Sequence, residues 1–462
     1  MNPNDASPEA VLRQALDEVN RRTDEITELL QALIRCDTTN TGVEPSGRES
    51  IACQVLHQYL DGVACETLES APGRGNFIAR LEGVKDPNKS SLLLMGHLDV
   101  APAGDLTDWK HPPFSGAIDN GRVYGRGAID CKAMVAAEAA ALKILHDLGA
   151  PFRGRITMVS GADEETGGSM GFGWLAANHP DVLRADLGVN EGGGRPCKNH
   201  NGTQAYLISP GEKGRYEINF IVRGHASHAS VPWSADNPLI TAAQLIERIA
   251  KLNPEPTLNC CMLALLPELF GISVPVTADE LEETLQLLND INPSLSRGVR
   301  AATRMTLAPT MIQAGDKSNS IPGICRLICD ARTCPGQNED DLRALISEAI
   351  GGLHGIEAHV TRTAEPSGCN WTPEIAQRFE RALSHAMDGT VVRAYPTLCT
   401  GFTDSRFARA LGTPMYGFQP KHPDTNRALN DIHCANESCS IQDLIFLTRA
   451  LIAFLLDHQN MD

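Results

Sequence analysis

The segment SLLLMGHLDV, residues 91–100, begins the part of the sequence that decides the fold. A helix-forming segment, AMVAAEAAALKILHDLG (133–149), follows it and ends on a glycine, a common helix terminator. A second apolar segment, GRITMVSGADEE (154–165), comes next. A strand, a helix and a strand in this order predict a crossover between parallel strands of an α/β sheet. Polar residues directly after such strands then lie at the sheet edge where α/β proteins bind ligands.

His97 and Asp99 come directly after the apolar run of the first predicted strand. Residues two apart in a strand face the same side, so the imidazole and the carboxylate are expected to converge. Asp99 then has two possible roles, as a metal ligand or as the group that orients the ring of His97. A surface His–Asp pair without a function is the alternative.

Further acidic residues lie beside glycine-rich turns. In GRGAIDCK (125–132), Asp130 precedes the predicted helix, where it is either a functional carboxylate or a helix N-cap. In SGADEETGG (160–168), three acidic residues in a row follow a predicted strand. Because adjacent carboxylates repel one another, a bound cation would explain them, and a solvated loop is the alternative.

Two more positions complete the pattern. Glu191 follows a short apolar run in LGVNEGGG (187–194), and His433 lies in NDIHCANES (430–438). Imidazoles and carboxylates without a CxxC pair suit zinc, cobalt or manganese at an open hydrolytic site better than a closed structural zinc site. Since the candidate ligands outnumber what one ion needs, the sequence favours a two-metal site.

The periodicity changes near residue 214, which predicts a second domain. RYEINFIVRG alternates apolar and polar residues as a half-buried strand does. Strand and helix patterns then follow one another up to about residue 363, around an irregular, proline-containing stretch at 253–320. We therefore expect an α+β domain over 214–365, inserted into a discontinuous domain formed by 1–213 and 366–462.

Composition narrows the classes of partner and compartment. The net charge of −17 argues against nucleic acid or an anionic membrane as partner, because both attract clustered lysine and arginine. The fourteen cysteines are scattered, so reduced thiols are expected rather than a disulfide framework. The start of the sequence lacks the apolar core of a signal peptide, and no apolar stretch is long enough to span a bilayer. A cytoplasmic protein is the resulting expectation.

The ordered motif set resembles the M20 metallopeptidase family, which includes aminoacylase-1, acetylornithine deacetylase and carboxypeptidase S. The motifs are GHLDVAPAGD, GRGAIDCK, DEETGG, VNEGG and IHCANE, which together extend from about residue 90 to 440. The resemblance implies a zinc-peptidase-like α/β catalytic domain with a mixed central sheet flanked by helices. It also implies an inserted ferredoxin-like α+β domain that acts as a lid and in dimerisation.

The resemblance also assigns roles in a two-metal site. Two divalent ions per chain are implied, zinc first, with cobalt or manganese as alternatives. Glu164 would be the general acid/base, and Asp99 would be the partner that orients His97. The implied metal ligands are His97 and Glu191 for one ion, Glu165 and His433 for the other, and Asp130 as the bridge between them.

Motifs outside the metal site resemble the family as well. GHASHASVP (224–232) is similar to the lid motif, with His228 as the better-aligned histidine and His225 as its competitor. His228 would stabilise the oxyanion, and in the family it often comes from the partner subunit, so a homodimer through the lid is implied. The substrate contacts implied by SNSIP (318–322) and TGFTDSRFAR (400–409) are Asn319, Gly401, Thr403 and Asp404.

The implied activity is hydrolysis of an amide bond in a dipeptide or N-acyl amino acid, of the carboxypeptidase or amidohydrolase type, by a hydroxide that bridges the metals. Cleavage of a non-peptide C–N bond, in an aryl-amine or carbamoyl substrate, is the alternative. A protein that kept the fold and lost catalysis is a third reading, which the complete set of candidate residues disfavours. Cys131 and Cys434, each beside a candidate ligand, depart from the expected pattern.

Overall fold

The computed structural model describes residues 7–83, 90–234, 236–426 and 432–460, and these residues belong to two compact units. Unit 1 consists of Met1–Pro210, Cys369–Thr397 and Thr403–Asp462, and unit 2 of Gly211–Gly368 and Leu398–Phe402. In the described part of the chain, no helix is both long and apolar enough to cross a membrane.

The first part of unit 1 alternates helices and strands. Its elements up to the start of unit 2 are α1 (Pro8–Arg21), α2 (Thr23–Arg35), α3 (Ser50–Tyr59), β1 (Ala64–Glu69), β2 (Gly75–Glu82), β3 (Ser91–His97), β4 (Ala117–Asp119), β5 (Arg122–Tyr124), α4 (Lys132–Asp147), β6 (Arg155–Gly161), α5 (Phe172–Asn178), β7 (Leu187–Asn190), β8 (Arg195–Lys198) and β9 (Gln204–Glu212).

Unit 2 follows with helices and mainly antiparallel strands, after which the chain returns to unit 1. The elements of unit 2 are β10 (Arg215–Arg223), β11 (Ser227–His228), α6 (Pro238–Lys251), α7 (Leu265–Phe270), α8 (Ala278–Ile291), α9 (Pro293–Thr303), β12 (Thr306–Ala314), β13 (Ser320–Ile321), β14 (Ile324–Arg332), α10 (Glu339–Ile350), β15 (Ile356–Ala364) and β16 (Ser367–Gly368). The remaining elements are α11 (Pro373–Ala386), β17 (Val392–Cys399), α12 (Ser405–Ala410), β18 (Met415–Gly417), β19 (Ser438–Ser440) and α13 (Ile441–Asn460).

The central sheet of unit 1 is mixed, as expected. Its order runs β1-β2-β6-β3-β7-β18-β9, and β3 pairs in parallel with both β6 and β7. The crossover predicted from the strand–helix–strand pattern is therefore confirmed as β3-α4-β6. At the other end, β1, β2 and β6 pair antiparallel. Leu92–Met95 are buried throughout, which explains why β3 has an unbroken apolar run: both faces of the strand are covered.

Helix α4 places its alanine-rich surface against the sheet and the neighbouring helices. Nearly all of its residues are buried, and it packs against α2, α13 and β3. Small side chains allow this close approach. The helix begins directly after Asp130 and Cys131, so its packing also holds the turn that presents Asp130.

The main sheet of unit 2 has the order β12-β14-β10-β15, and its adjacent strands are antiparallel. With α6 between β10 and β12, and α10 between β14 and β15, the main elements follow the βαββαβ order of ferredoxin-like folds. The alternation predicted for β10 is confirmed, because its buried residues are the apolar ones at every second position: Tyr216, Ile218, Phe220 and Val222.

One expectation about this unit is wrong. Residues 253–320 were expected to be irregular, but they contain α7, α8 and α9 as well as β12. Pro293 stands at the first turn of α9, where proline is well tolerated, and the Asn292 side chain accepts a hydrogen bond from the Leu295 N–H as the N-cap. Thr277 caps α8 in the same way. These residues start helices here instead of breaking them.

Candidate active site

His97 lies at the C-terminal end of β3 with its ring turned toward acidic side chains. It is 1% exposed. Its Nδ1 lies 3.0 Å from the carbonyl oxygen of Asp99 and 3.4 Å from that residue's Oδ1. Its Nε2 lies 2.9 Å from Oδ1 of Asp130 and 3.7 Å from Oε1 of Glu191. Asp99 thus fixes one ring nitrogen, and the other faces two carboxylates that come from separate turns.

Asp130 lies between two imidazoles. Its Oδ1 faces Nε2 of His97, and its Oδ2 lies 3.2 Å from Nε2 of His433. Nε2 of His433 is also 3.1 Å from Oε2 of Glu165. A carboxylate with one oxygen toward each histidine has the arrangement that a bridging ligand between two ions needs.

Two groups of side chains have ligand atoms close enough to hold one ion each. The first is His97, Cys131 and Glu191, and the second is Asp130, Glu165 and His433. Within each group the ligand atoms lie within 4.8 Å of one another. The five residues that the sequence suggested as metal ligands therefore lie together, and the buried thiol of Cys131 lies beside His97 and Glu191. Cys434, the other cysteine next to a candidate ligand in the sequence, is exposed.

Glu164 lies next to Glu165 but is in neither of these groups. It is part-buried, and burial together with the Glu191 carboxylate raises its pKa well above the ordinary value. A carboxyl group whose pKa is raised by burial and a neighbouring carboxylate is a candidate for proton transfer.

The Asp99 carboxylate supports the turn that carries Glu164 and Glu165. Its Oδ1 accepts the Glu164 N–H at 3.0 Å and its Oδ2 accepts the Glu165 N–H at 3.2 Å. Asn40, which the sequence did not suggest, donates from Nδ2 to Asp99 Oδ2 at 2.9 Å and to Asp163 Oδ1 at 3.0 Å. Asp99 therefore orients an imidazole and two carboxylates together.

Asp163, the first of the three adjacent acidic residues, is held by an arginine. Nη2 of Arg74 lies 3.2 Å from its Oδ1, and the same guanidinium pairs with Glu49 at 2.9 Å. The backbone of Asp163 has φ of 70°, and its carboxylate also accepts the Met170 N–H at 2.9 Å. The positive charge expected near these carboxylates is thus supplied, for Asp163, by a protein side chain.

Glu437, four residues after His433, organises the Asp130 turn. Its carboxylate accepts the N–H groups of Gly127, Ile129 and Asp130 at 3.1, 2.8 and 3.2 Å. It also pairs with Arg126. The sequence placed Glu437 near His433 but gave it no role. No local pattern could show this role, because the N–H groups that Glu437 binds are about 300 positions away in the sequence.

The suggested substrate contacts do not all belong to the same unit and differ in how deeply they are buried. Thr403 and Asp404 belong to unit 1 and are 5% and 1% exposed. Burial raises the pKa of Asp404 to about 7, and the positive charge of Arg406 opposes that shift. Gly401 belongs to unit 2 and is half-buried.

In unit 2, the motifs GHASHASVP and SNSIP meet in a small strand pair. β11 pairs with β13, with His228 opposite Ser320, and the Ala229 N–H donates to the carbonyl oxygen of Asn319 at 3.0 Å. The Ser230 N–H donates to Nδ1 of His228 at 3.2 Å. Nδ1 of His228 also lies 2.7 Å from Oγ of Ser230, so Ser230 holds the exposed ring at this nitrogen and Nε2 lies outside the contact.

Comparison with known proteins agrees with this architecture. Residues 93–457 match the model of peptidase family M20/M25/M40. The chain is 27% identical over 476 residues to an N-fatty-acyl-amino acid synthase/hydrolase of Mus musculus, covering 95% of this chain and 88% of that protein. It is 27% identical over 389 residues to a succinyl-diaminopimelate desuccinylase of Cereibacter sphaeroides, covering 82% and 86%.

Solved structures share the fold. An M20 family metallo-carboxypeptidase of Sulfolobus solfataricus matches with a TM-score of 0.70 and 20% identity, over 95% of this chain and 99% of that one. Human carnosine dipeptidase 1 matches with a TM-score of 0.68 and 18% identity, over 98% and 99%. Since the family model covers well over half of the sequence, the chain belongs to peptidase family M20/M25/M40.

Proposed function

We propose that this protein is a metal-dependent hydrolase that cleaves the amide bond of a dipeptide or an N-acyl amino acid. The observation that carries the proposal is the position of Asp130, with one carboxylate oxygen toward His97 and the other toward His433. Relatives named as N-acyl amino acid hydrolases and desuccinylases, and structures named as dipeptidases, support amide hydrolysis as the reaction.

The donor set fits two divalent ions. His97 and Glu191 would hold one ion, Glu165 and His433 the other, and Asp130 would bridge them. Nδ1 of His97 is already bound to Asp99, which leaves Nε2 for a metal, as is usual for metal-binding histidines. Imidazole and carboxylate ligands suit zinc, which we propose as the native ion, with cobalt and manganese as the alternatives to test.

The reaction is divided between the ions and the side chains. When bound, the two ions would supply Lewis acidity, which lowers the pKa of a water molecule and polarises the scissile carbonyl. Glu164 takes the proton from the attacking water and delivers it to the leaving amine. Asp99 keeps the Glu164 backbone in place through the hydrogen bond to its N–H. His228 donates from Nε2 to the oxyanion that develops on the substrate.

We further propose a homodimer that forms through unit 2, in the cytoplasm. β12 is an edge strand whose outer residues are exposed, including the apolar side chains of Met311 and Ile312. An exposed apolar edge strand favours pairing with a second copy of the same chain. The fourteen cysteines are scattered along the sequence without a CxxC pair, a pattern typical of thiols in a reducing compartment.

Metal analysis and a substrate panel test the proposal. Purified protein reconstituted with Zn²⁺ should hold about two ions per chain by mass spectrometry. It should hydrolyse members of a panel of dipeptides and N-acyl amino acids, and lose that activity to a chelator. Turnover of aryl-amine or carbamoyl substrates alone would favour the alternative bond type. Metal-free protein with no hydrolysis on the whole panel would overturn the proposal, and light scattering would settle the dimer separately.

A further inference from the structure

The segment Thr403–Arg406, which runs from a loop into the first two residues of α12, contacts both segments that carry the catalytic carboxylates of unit 1. On one side lies Asn190, the last residue of β7 and the neighbour of Glu191. Its Nδ2 lies 3.1 Å from Oγ of Ser405 and 3.5 Å from Oγ1 of Thr403. The loop is thereby tied to the strand end that presents Glu191.

On the other side, Arg406 reaches the turn that carries Glu164 and Glu165. Its Nη2 donates to the carbonyl oxygen of Gly167 at 2.8 Å, and its Nη1 donates to the carbonyl oxygen of Thr403 at 2.8 Å. The guanidinium also lies over the ring of Phe407, 4.4 Å from its centre. One 8% exposed side chain therefore spans from the loop to the turn.

Asp404 packs against the same turn with its carboxylate. A Cβ built on Gly168 would lie only 2.5 Å from Oδ1 of Asp404, so this contact requires glycine. Both carboxylate oxygens are buried without a hydrogen-bond partner among the described residues, and the nearby cation is Arg406, whose Nη2 is 3.7 Å from Oδ1. The Asp404 carboxyl group thus packs against the Glu164 turn and lies beside the Arg406 guanidinium.

We propose that Arg406 and Asp404 are positioning residues that set the position of Glu164 and Glu165 relative to Glu191. The proposal rests on the proposed function, because it takes Glu165 and Glu191 as ligands of the two neighbouring ions and Glu164 as the general acid/base beside them. Arg406 anchors the Glu164 turn through Gly167, Asp404 fills the space beside Gly168, and Ser405 with Thr403 anchors Asn190. If Arg406 is replaced, we expect the turn with Glu164 and Glu165 to shift relative to Glu191. Each segment still follows its own strand, β6 or β7.

Substitutions at both positions, with a matched control, test the proposal. R406Q should lower kcat about 30- to 100-fold with KM within about threefold, because a displacement near 1 Å costs about that much in rate. R406K, which keeps the charge and one donor, should recover part of the loss. R409K is the control: Arg409 is on the same helix and donates to the carbonyl oxygen of Met415 instead. It should stay within about twofold of wild type.

The Co²⁺-substituted protein gives a readout that does not depend on turnover. R406Q should change the visible absorption of bound Co²⁺, because that spectrum reports the ligand geometry, whereas R409K should not. D404N, which keeps the size of the side chain but removes the negative charge beside the Arg406 guanidinium, should lower kcat at least about tenfold and leave KM unchanged. Circular dichroism and thermal melting identify any variant that fails to fold, and R406K then serves in place of R406Q.

Three results would overturn the proposal. The first is an R406Q protein with a lower melting temperature but wild-type kcat and Co²⁺ spectrum, which would show a structural role only. The second is a D404N protein with a raised KM and unchanged kcat, which would make Asp404 a substrate contact. The third is an unchanged Co²⁺ spectrum in both variants. If the wild type hydrolyses nothing on the panel, the proposed function fails, while the Co²⁺ spectra still test the positioning role.

Discussion

Arg126 and Glu437 form a buried ion pair, with Nη1 of the arginine 2.7 Å from Oε2 of the glutamate. The two side chains are 2% and 0% exposed. The same carboxylate accepts the N–H of Asp130, so the pair lies directly behind the residue that faces both histidines. This contact joins segments that precede and follow the whole of unit 2 in the sequence.

E437Q is expected to lower the free energy of unfolding by about 3 kcal/mol, because it leaves the Arg126 guanidinium buried without its counter-ion. It should also weaken metal binding about tenfold, since the Asp130 turn loses charge-assisted support. Urea unfolding and a chelator competition measure the two effects. The control is E357Q, which breaks the exposed pair with Arg223 and should cost less than about 1 kcal/mol. Equal losses in both variants would contradict the prediction.

E164Q is expected to lower kcat about 1,000-fold with the metal content unchanged. The amide can accept no proton from the attacking water, yet it keeps the size of the carboxyl group and leaves every proposed ligand in place. Steady-state kinetics and mass spectrometry of the bound metal check the two parts. Near-wild-type turnover in a metal-loaded E164Q protein would show that another group transfers the proton.

D99N is expected to lower both metal affinity and kcat by about 10- to 100-fold. The Asp99 carboxylate accepts hydrogen bonds from the N–H groups of Glu164 and Glu165, and an amide nitrogen in either position would repel one of them. Isothermal titration with Zn²⁺ and initial-rate kinetics measure the losses. If only kcat fell, Asp99 would support the Glu164 turn without orienting His97.

H228A is expected to lower kcat about 100-fold, because the oxyanion would lose a hydrogen-bond donor. H225A should have a smaller effect, since Ser230 holds the ring of His228 at Nδ1 and leaves Nε2 outside that contact. Kinetics of the two single variants on one substrate give the comparison. A larger loss in H225A would transfer the role to His225.

Lys213 is expected to make the stability of unit 2 rise with pH. Burial lowers its pKa to about 8, and its Nζ donates to the carbonyl oxygens of Ala301 and Arg304. Between pH 8 and 10.5 the unfolded chain then binds more protons at this residue than the folded one, so its contribution to the unfolding free energy increases with pH.

The measurement is the difference in unfolding free energy between wild type and K213Q, followed by urea titration from pH 7.5 to 10.5. K213Q keeps hydrogen-bond donors and removes the titration. The difference should grow in favour of wild type by about 2–3 kcal/mol over this range. Buried thiols such as Cys329, whose pKa burial raises to about 12, act in the opposite direction in both proteins and cancel. A difference that is constant with pH would contradict the prediction.

The sequence predicted those parts of the site that lie next to strands. His97 is the last residue of β3 and Glu191 follows β7 directly, and each is preceded by an apolar run that a single sequence shows clearly. Asp130 lies between a glycine-rich turn and a strong helix, where a helix N-cap is equally expected, so its role as a metal ligand is implied only by the resemblance to the family. For His97 and Glu191, the local pattern predicts both the strand and the polar residue at its end.

The residues that hold the site in place could not be predicted in this way. Asn40 reaches Asp99 and Asp163 from a loop far away in the sequence, and Arg406 reaches Gly167 across more than 230 positions. Their neighbours in the sequence give no sign of these partners, because the contacts exist only after the sheet of unit 1 has formed. The helices of residues 253–320 were missed for a different reason: proline and polar caps mark helix starts as well as loops.

The order of the site residues along the chain has a consequence for synthesis on the ribosome. His97, Asp130, Glu165 and Glu191 precede unit 2, whereas His433 follows it. At about 5–20 residues per second, translation of the 158 residues from Gly211 to Gly368 takes roughly 8 to 30 s. During that time the nascent chain already contains four of the proposed metal ligands. The group of Asp130, Glu165 and His433 still lacks its histidine. The proposed second ion group therefore becomes complete only after unit 2 has been translated.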